Sequence, residues 1–418
     1  MTDLRKLRPM RAPLTGALLA AITTLPVLCA LPAQAQDDTS GLAGPRLDFT
    51  LGFSLLGNDN PDLFPAAFAD PETTASLSLG FALITETALS RLSFSGGGAL
   101  RFSDDGGTSG ALVNPSLGLA WDYGVENTSL SFSALHSDTD LAAQSATAAD
   151  FGPGHRLTDS VTAELALGKV APFGATLRAE AEQTDYRDAD PSLSDRKSAL
   201  LGLDLRADVF DVWQVNLGLT ASAFQNVGGV RRDTYAATAG VTYLRARSTT
   251  EISFGLTDTP EGRRQSLSLD HQLELPTGNL SFGISGARGV TGADNLTGSF
   301  GWTQDYATGT LTLDLSRALV SSTTSDAETL ESLASLQWTQ EVTRTGSLLL
   351  GLSYADEAPT SGAAATTTAQ IAATWTEEIG QDWVMSFGLT HARRDTGSFD
   401  GQSNLISLGL SRDFSLRF

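Results

Sequence analysis

Ser411 to Phe418, the last eight residues, read SRDFSLRF. Phe414, Leu416 and Phe418 stand at every second place, and the final ring carries the carboxylate of the chain end. Chain ends are normally polar and frayed, because nothing there offsets the entropy of ordering them. An end whose apolar residues alternate up to the last position reads as an end fastened into a sheet.

The same period of two runs back through the chain. Leu47, Phe49, Leu51, Phe53 and Leu55 alternate with polar or small residues, as do Leu77, Leu79, Phe81 and Leu83, then Leu117, Leu119, Trp121 and Tyr123. Helical spacing is not sustained anywhere after residue 40. Twenty segments follow this reading, among them 46–55, 75–84, 111–123, 128–136, 175–186, 234–245, 330–340, 383–393 and 404–418; eighteen remain if two are miscounted. Short turns such as Gly124-Val125-Glu126-Asn127, Phe210-Asp211-Val212 and Pro276-Thr277-Gly278-Asn279 alternate with longer polar loops such as 56–74, 137–157 and 187–197.

An antiparallel meander with short turns at one end and long loops at the other predicts an all-β fold, a transmembrane up-and-down β-barrel with its short turns in the periplasm. The aromatic residues give a separate indication. Trp121, Trp213, Trp302, Trp338, Trp375 and Trp383, with Tyr123, Tyr243 and Tyr306, fall beside short turns, whereas Tyr186, Tyr235 and Tyr354 fall beside long loops. That sorting predicts two girdles at the membrane interfaces.

The ending resembles the C-terminal signature of Gram-negative outer-membrane β-barrel proteins of the porin-like kind, carried here by Leu410, Phe414, Leu416 and Phe418; Arg412 departs from it. The resemblance implies that periplasmic chaperones deliver the chain and that the outer-membrane assembly machinery reads its last strand. It also implies a finished barrel among outer-membrane lipids and lipopolysaccharide.

The other end of the sequence agrees with export. Arg5, Lys6, Arg8 and Arg11 precede an apolar run from Leu14 to Leu31, and Ala33-Gln34-Ala35 supplies small residues for cleavage after Ala35. Residues 1–35 are therefore read as a signal peptide and 36–418 as one barrel domain. The only cysteine, Cys29, lies in the leader, so the mature chain needs no disulfide. The mature chain keeps 23 basic and 47 acidic residues, a balance that repels nucleic acid. About ten residues separate Gln36 from the first strand, too few for the plug of energised uptake receptors; a passenger domain and periplasmic repeats are also missing.

If leucines face lipid, their neighbours face the lumen, where Ser76, Ser78, Gly80, Thr238, Gly240 and Thr242 are too small to fill it. Inward charges are Arg46, Arg91, Arg101, Arg178 and Arg206 among Asp48, Asp122, Glu164, Glu180, Asp204, Glu251, Asp270 and Asp314. The acid excess predicts passive diffusion of small hydrophilic solutes with a weak cation preference. The third outward loop, Ser137 to Arg156 with Asp138, Asp140 and Asp150, resembles in ordinal place the loop that narrows trimeric diffusion porins. An assembly of identical chains is left open. Export of surface polysaccharide, or a structural role, is the second reading.

An enzyme is the least supported reading. His136 and His391 lie at outer strand ends, His155 in a loop, and His271 at a position that points toward lipid, where a slipped register or a bulge is the simpler account. A hydrolase would need His136 and His391 close together. Asn58-Asp59-Asn60-Pro61-Asp62 lacks the glycine and distal glutamate of a calcium loop and reads as a turn, so neither metal nor cofactor is expected.

Overall fold

The computed structural model describes residues 44–61, 63–103, 111–141, 154–189, 193–290, 292–321, 328–360, 362, 364–380, 382–398 and 400–418. The leader lies outside them. Twenty strands follow in order: β1 (Arg46–Asn58), β2 (Glu72–Glu86), β3 (Ser90–Ser103), β4 (Ala111–Val125), β5 (Thr128–Asp140), β6 (His155–Leu167) and β7 (Phe173–Arg187). Then come β8 (Arg196–Phe210), β9 (Trp213–Asn226), β10 (Arg232–Arg245), β11 (Ser248–Thr259), β12 (Gly262–Leu275), β13 (Gly278–Arg288) and β14 (Asp294–Tyr306). The last six are β15 (Gly309–Ser321), β16 (Glu328–Glu341), β17 (Gly346–Pro359), β18 (Thr366–Glu378), β19 (Trp383–Asp395) and β20 (Asp400–Arg417).

Each strand pairs antiparallel with the next, and β20 returns to β1 in an unbroken register from Arg46↔Arg417 to Asn58↔Leu405. The sheet is closed. Beyond the last pair, Phe418 N–H donates to the Pro45 carbonyl at 3.1 Å. No described helix is long and apolar enough to cross a membrane, a statement that does not bear on strands.

Directly paired residues share a face, so the ladders carry one parity around the whole circuit. Phe53 stands opposite Leu77 and Leu410, Phe254 opposite Leu267, and Leu313 opposite Leu336. These columns point outward and are open: Leu79 is 56 % exposed, Leu267 58 % and Ile284 49 %. By contrast the only buried hydrophobic residues among those described are Leu63, Val113, Leu141, Ala355 and Ala392. Such an inside-out distribution is stable only where the solvent is hydrocarbon. All six tryptophans lie in the outward columns near the short turns; the Trp213 ring sits 4.7 Å from that of Tyr243, its direct partner on β10.

Strands of 11 to 18 residues meet or exceed the roughly 9–11 that a membrane crossing requires, and the surplus is at the end with long loops. There the polar residues occupy both faces, alternation fades, and the sequence reading stops short while the backbone ladder continues. Two expectations change in consequence. Asp138 and Asp140, expected in a loop, belong to β5, opposite Leu157 and His155. Tyr186, expected in the outer girdle, lies on the inward parity with Arg156, and the Arg196 guanidinium covers its ring at 5.8 Å. Tyr235 and Tyr354 do take outward positions, 58 % and 44 % exposed.

His271 also corrects its expectation. The β11–β12–β13 register is regular from end to end, without slip or bulge, and places His271 opposite Thr250 and Phe282 on the outward face. Its Nδ1 lies 2.8 Å from Thr250 Oγ1 and its ring 5.2 Å from that of Phe282, so a threonine satisfies the imidazole within the apolar belt. Arg412, which breaks the terminal pattern, is accommodated by reach. From its outward place opposite Leu51 its guanidinium lies over the Phe414 and Trp383 rings at 4.7 and 5.6 Å and within 3.6 Å of Asp382 in the β18–β19 turn.

The two faces make a direct prediction. Ile284→Arg, in the outward column, costs about 2–4 kcal/mol near the bilayer midplane, whereas Ser285→Arg, its inward neighbour, costs less than about 1 kcal/mol. Urea titration of the barrel refolded into vesicles reads the difference.

Candidate functional site

The site is the inner wall and its outer mouth. The charged residues expected on that wall, Arg46, Asp48, Arg91, Arg101, Asp122, Glu164, Arg178, Glu180, Asp204, Arg206, Glu251, Asp270 and Asp314, occupy the parity opposite the leucine columns. Between them runs a floor of small residues. Ser54 meets Ser76 at 2.6 Å, Ser253 meets Ser268 at 2.7 Å, and a methyl group on Gly283 would lie 2.4 Å from the Asp270 carboxylate.

The basic and acidic members of the wall are not equally engaged. Arg46 pairs with Asp48 at 2.9 Å, Arg178 with Glu180, and Arg91 stands directly opposite Asp122. Arg206 turns toward the periplasmic end and donates to the carbonyls of Gly168, Lys169 and Ala171 at 2.9, 3.1 and 2.8 Å, capping the β6–β7 turn. On the arc from β8 to β15, by contrast, Asp204, Glu251, Asp270 and Asp314 have no hydrogen-bond or ion-pair partner among the described residues. Glu251 and Asp270 even stand opposite each other, an arrangement that costs stability in a sheet. The field inside the barrel is therefore one-sided.

At the outer mouth charges close into pairs. Arg101 bridges Glu72 at 3.0 Å and the buried Asp140, whose backbone N–H donates to Asn114 Oδ1 at 2.7 Å. Asn114 itself has φ +50° beside Pro115, next to the β3–β4 register shift, so a bulge aims it. Arg232 pairs with Glu261 and Arg264 with the buried Glu328 at 2.8 Å. Asp138 meets His155 at 3.0 Å, which makes it a strand-end partner; Asp150 lies outside the described residues.

Among the described residues the first loop, joining β1 to β2, folds inward. Leu63 is only 1 % exposed and packs with Ala392 on the inner face of β19. Asn60, 4 % exposed, donates through Nδ2 to the carbonyls of Phe64 and Gln402 at 2.7 and 2.8 Å and accepts from Phe64 N–H at 3.1 Å. Ser403 Oγ donates to Asn58 at 2.7 Å, and Asn404 donates to Asp59 from both backbone and side chain. These asparagines and aspartate serve the chain itself. Among the described residues no cluster of histidine and carboxylate is placed to hold a metal. Gly401 is what admits the loop: a Cβ there would lie 1.8 Å from the Leu63 carbonyl oxygen. Most of the third outward loop, expected to narrow the barrel, lies outside the described residues; the docking of the first loop carries no sequence sign, since a leucine between polar residues does not show where it packs.

The histidines do not converge. Going from β5 through β4, β3, β2, β1 and β20 to β19 takes six strand steps, about 29 Å along the wall, and both His136 and His391 are on the outward parity. His136 is engaged with Asp159 at 2.6 Å and His391 with Asn404 at 2.8 Å.

Solved structures share this architecture. The siderophore receptor PirA from Pseudomonas aeruginosa matches at a TM-score of 0.50 and 12 % identity over 89 % of this chain and 80 % of its own. A mutant of the ferric enterobactin receptor PfeA from the same organism matches at 0.52 and 11 % identity, over 90 % and 81 %. PirA from Acinetobacter baumannii matches at 0.51 and 8 % identity, over 88 % and 80 %. The chain has the outer-membrane β-barrel fold. Closure, apolar belt and fold together are those of a protein of the Gram-negative outer membrane. No family model matches the barrel's sequence, and no curated protein matches it either.

Docking of the first loop is testable because the barrel has no native cysteine. A Leu63→Cys, Ala392→Cys pair is expected to cross-link on oxidation, seen as a reducible gel shift of the folded barrel. Adding Gly401→Val abolishes the cross-link.

Proposed function

We propose that the barrel is a passive channel for small hydrophilic solutes, that it prefers cations, and that residues 1–35 are the export signal of a single-domain protein. The observation that carries this reading is the imbalance of free charge on the inner wall. Arg46 and Arg178 are committed to ion pairs and Arg206 to a turn, while Asp204, Glu251, Asp270 and Asp314 are uncommitted among the described residues. A wall of serine, threonine and glycine adds hydrogen-bonding groups without bulk, which suits solutes that keep part of their water.

Size sets the second element. Twenty strands at the usual spacing and tilt give a cylinder roughly 40 Å across between backbones if circular, too wide to select anything by itself. The first loop, held by Asn60 and Leu63 against β19 and β20, supplies a constriction at the outer mouth. Its placement supports a restricted pore over an open conduit for polysaccharide. No step in this function needs a nucleophile or base, and the separated histidines support a non-enzymatic role.

Planar-bilayer recording tests the proposal. The purified barrel is expected to open in discrete steps and to show a reversal potential favouring cations in a salt gradient. Glu251→Gln with Asp270→Asn moves that potential toward zero while leaving step size nearly unchanged; Gly401→Val does the converse, enlarging the step. A silent barrel, or one whose selectivity ignores the carboxylate pair, would overturn the reading.

A further inference from the structure

Two residues that the ladder keeps apart meet at the outer mouth. Glu328 opens β16 and is paired with Ser321 on β15, whereas Arg264 lies near the outer end of β12, four strand steps away, about 19 Å along the wall. Their side chains together do not span that distance. Yet Arg264 Nε lies 2.8 Å from Glu328 Oε1, and the glutamate is only 4 % exposed. The outer end of β16 therefore leaves the wall and leans over the β13–β14 hairpin, where β13, at 11 residues, is the shortest strand of the barrel. β17 follows it, since Thr360 N–H donates to the Glu328 carbonyl at 2.8 Å.

The carboxylate has a built seat. Val290 N–H, in the β13–β14 turn, donates to Oε1 at 3.2 Å. Gly289 leaves the room: a Cβ there would lie 2.6 Å from Glu328 Oε2. Val290 in turn packs over Gly262 at the head of β12, whose missing Cβ would lie 3.5 Å from that of Val290. The tie to Arg264 is an ion pair, and a buried ion pair offsets little more than its own desolvation. The root of the same segment is weak as well. Glu331 on β16 and Glu357 on β17 stand directly opposite each other on the inward face, like charges that loosen a ladder, with Arg394 of β19 acting on Glu357 from two strands away.

An element held at its tip by one carboxylate and loosened at its root has two positions close in free energy, and a contact made in only one of them decides between them. We infer that the outer ends of β16 and β17 form a strap across the mouth, latched when Glu328 is seated on Arg264, Gly289 and Val290, and that unseating this carboxylate opens a wider entrance. The effect on current rests on the channel reading; the latch rests on the contacts alone.

Single-channel recording of the full-length mature barrel tests the strap. Arg264→Gln removes the charge, and Gly289→Ala crowds the carboxylate from its seat without touching charge. Each is expected to raise the conductance step about 1.5-fold, because each costs only the latched position. In the otherwise cysteine-free barrel a Gly289→Cys, Glu328→Cys pair shows the wide step, and bridging its thiols with dibromobimane, which fluoresces once both have reacted, returns the native step. Heat-modifiable gel mobility shows that each variant is folded. A native step in both Arg264→Gln and Gly289→Ala sinks the strap, as does a folded cysteine pair that dibromobimane cannot bridge. A native barrel that never conducts overturns the channel reading instead, and the opening of the strap with it, while bridging still reports the latch.

Discussion

Every other property of this molecule depends on the backbone ladder between β1 and β20. In hydrocarbon an unpaired N–H or C=O has no water to bond, so a sheet edge left open there costs several kcal/mol per group. Thirteen consecutive register pairs between the first and last strands remove both edges at once. The alternation that ends on Phe418 is a consequence of that requirement: a terminal strand must continue the outward apolar column to its last residue if the seam is to be indistinguishable from any other ladder. Parity then propagates without interruption from strand to strand, and a single choice at the seam decides the face of residues in every strand.

That propagation explains what can be read from the sequence and what cannot. Strand number, order and the facing of residues such as Leu119 or Asp270 follow from a period of two, which is local and repeated. His271 shows the strength of the rule: its outward place reads as an error of register, yet the ladder is regular and Thr250 supplies the compensating contact. The failures lie above the membrane, where both faces are polar and the period loses its contrast. Asp138 and Asp140 read as loop for that reason, and Tyr186 as a girdle residue. Docking of the first loop is out of reach altogether, since it depends on the contact of Leu63 with Gly401 and Ala392, more than three hundred residues away.

The lumen shows how a modest imbalance of charge acquires direction. Arginines and carboxylates alternate along the inner wall, and composition alone would make the field nearly featureless. Geometry separates them. Guanidinium groups are long and multidentate, so Arg46, Arg101 and Arg178 reach nearby acids and Arg206 a row of carbonyls at the β6–β7 turn. Aspartates over glycine are short and stay where the backbone puts them, as Asp270 does over Gly283. The uncompensated charge is therefore concentrated on one arc of the cylinder.

The first loop is tied to both sides of the seam: Asn58 and Asp59 belong to the β1 side, Gln402, Ser403 and Asn404 to the β20 side. Its docking surface does not exist until the last strand has zipped onto the first. A half-assembled cylinder thus has no throttle, and the narrow entrance arises in the same event that seals the wall. On the proposed reading as a channel, leakage through an immature barrel is limited by how fast that final ladder forms, which ties the alternating tail of the chain to permeability as well as to folding.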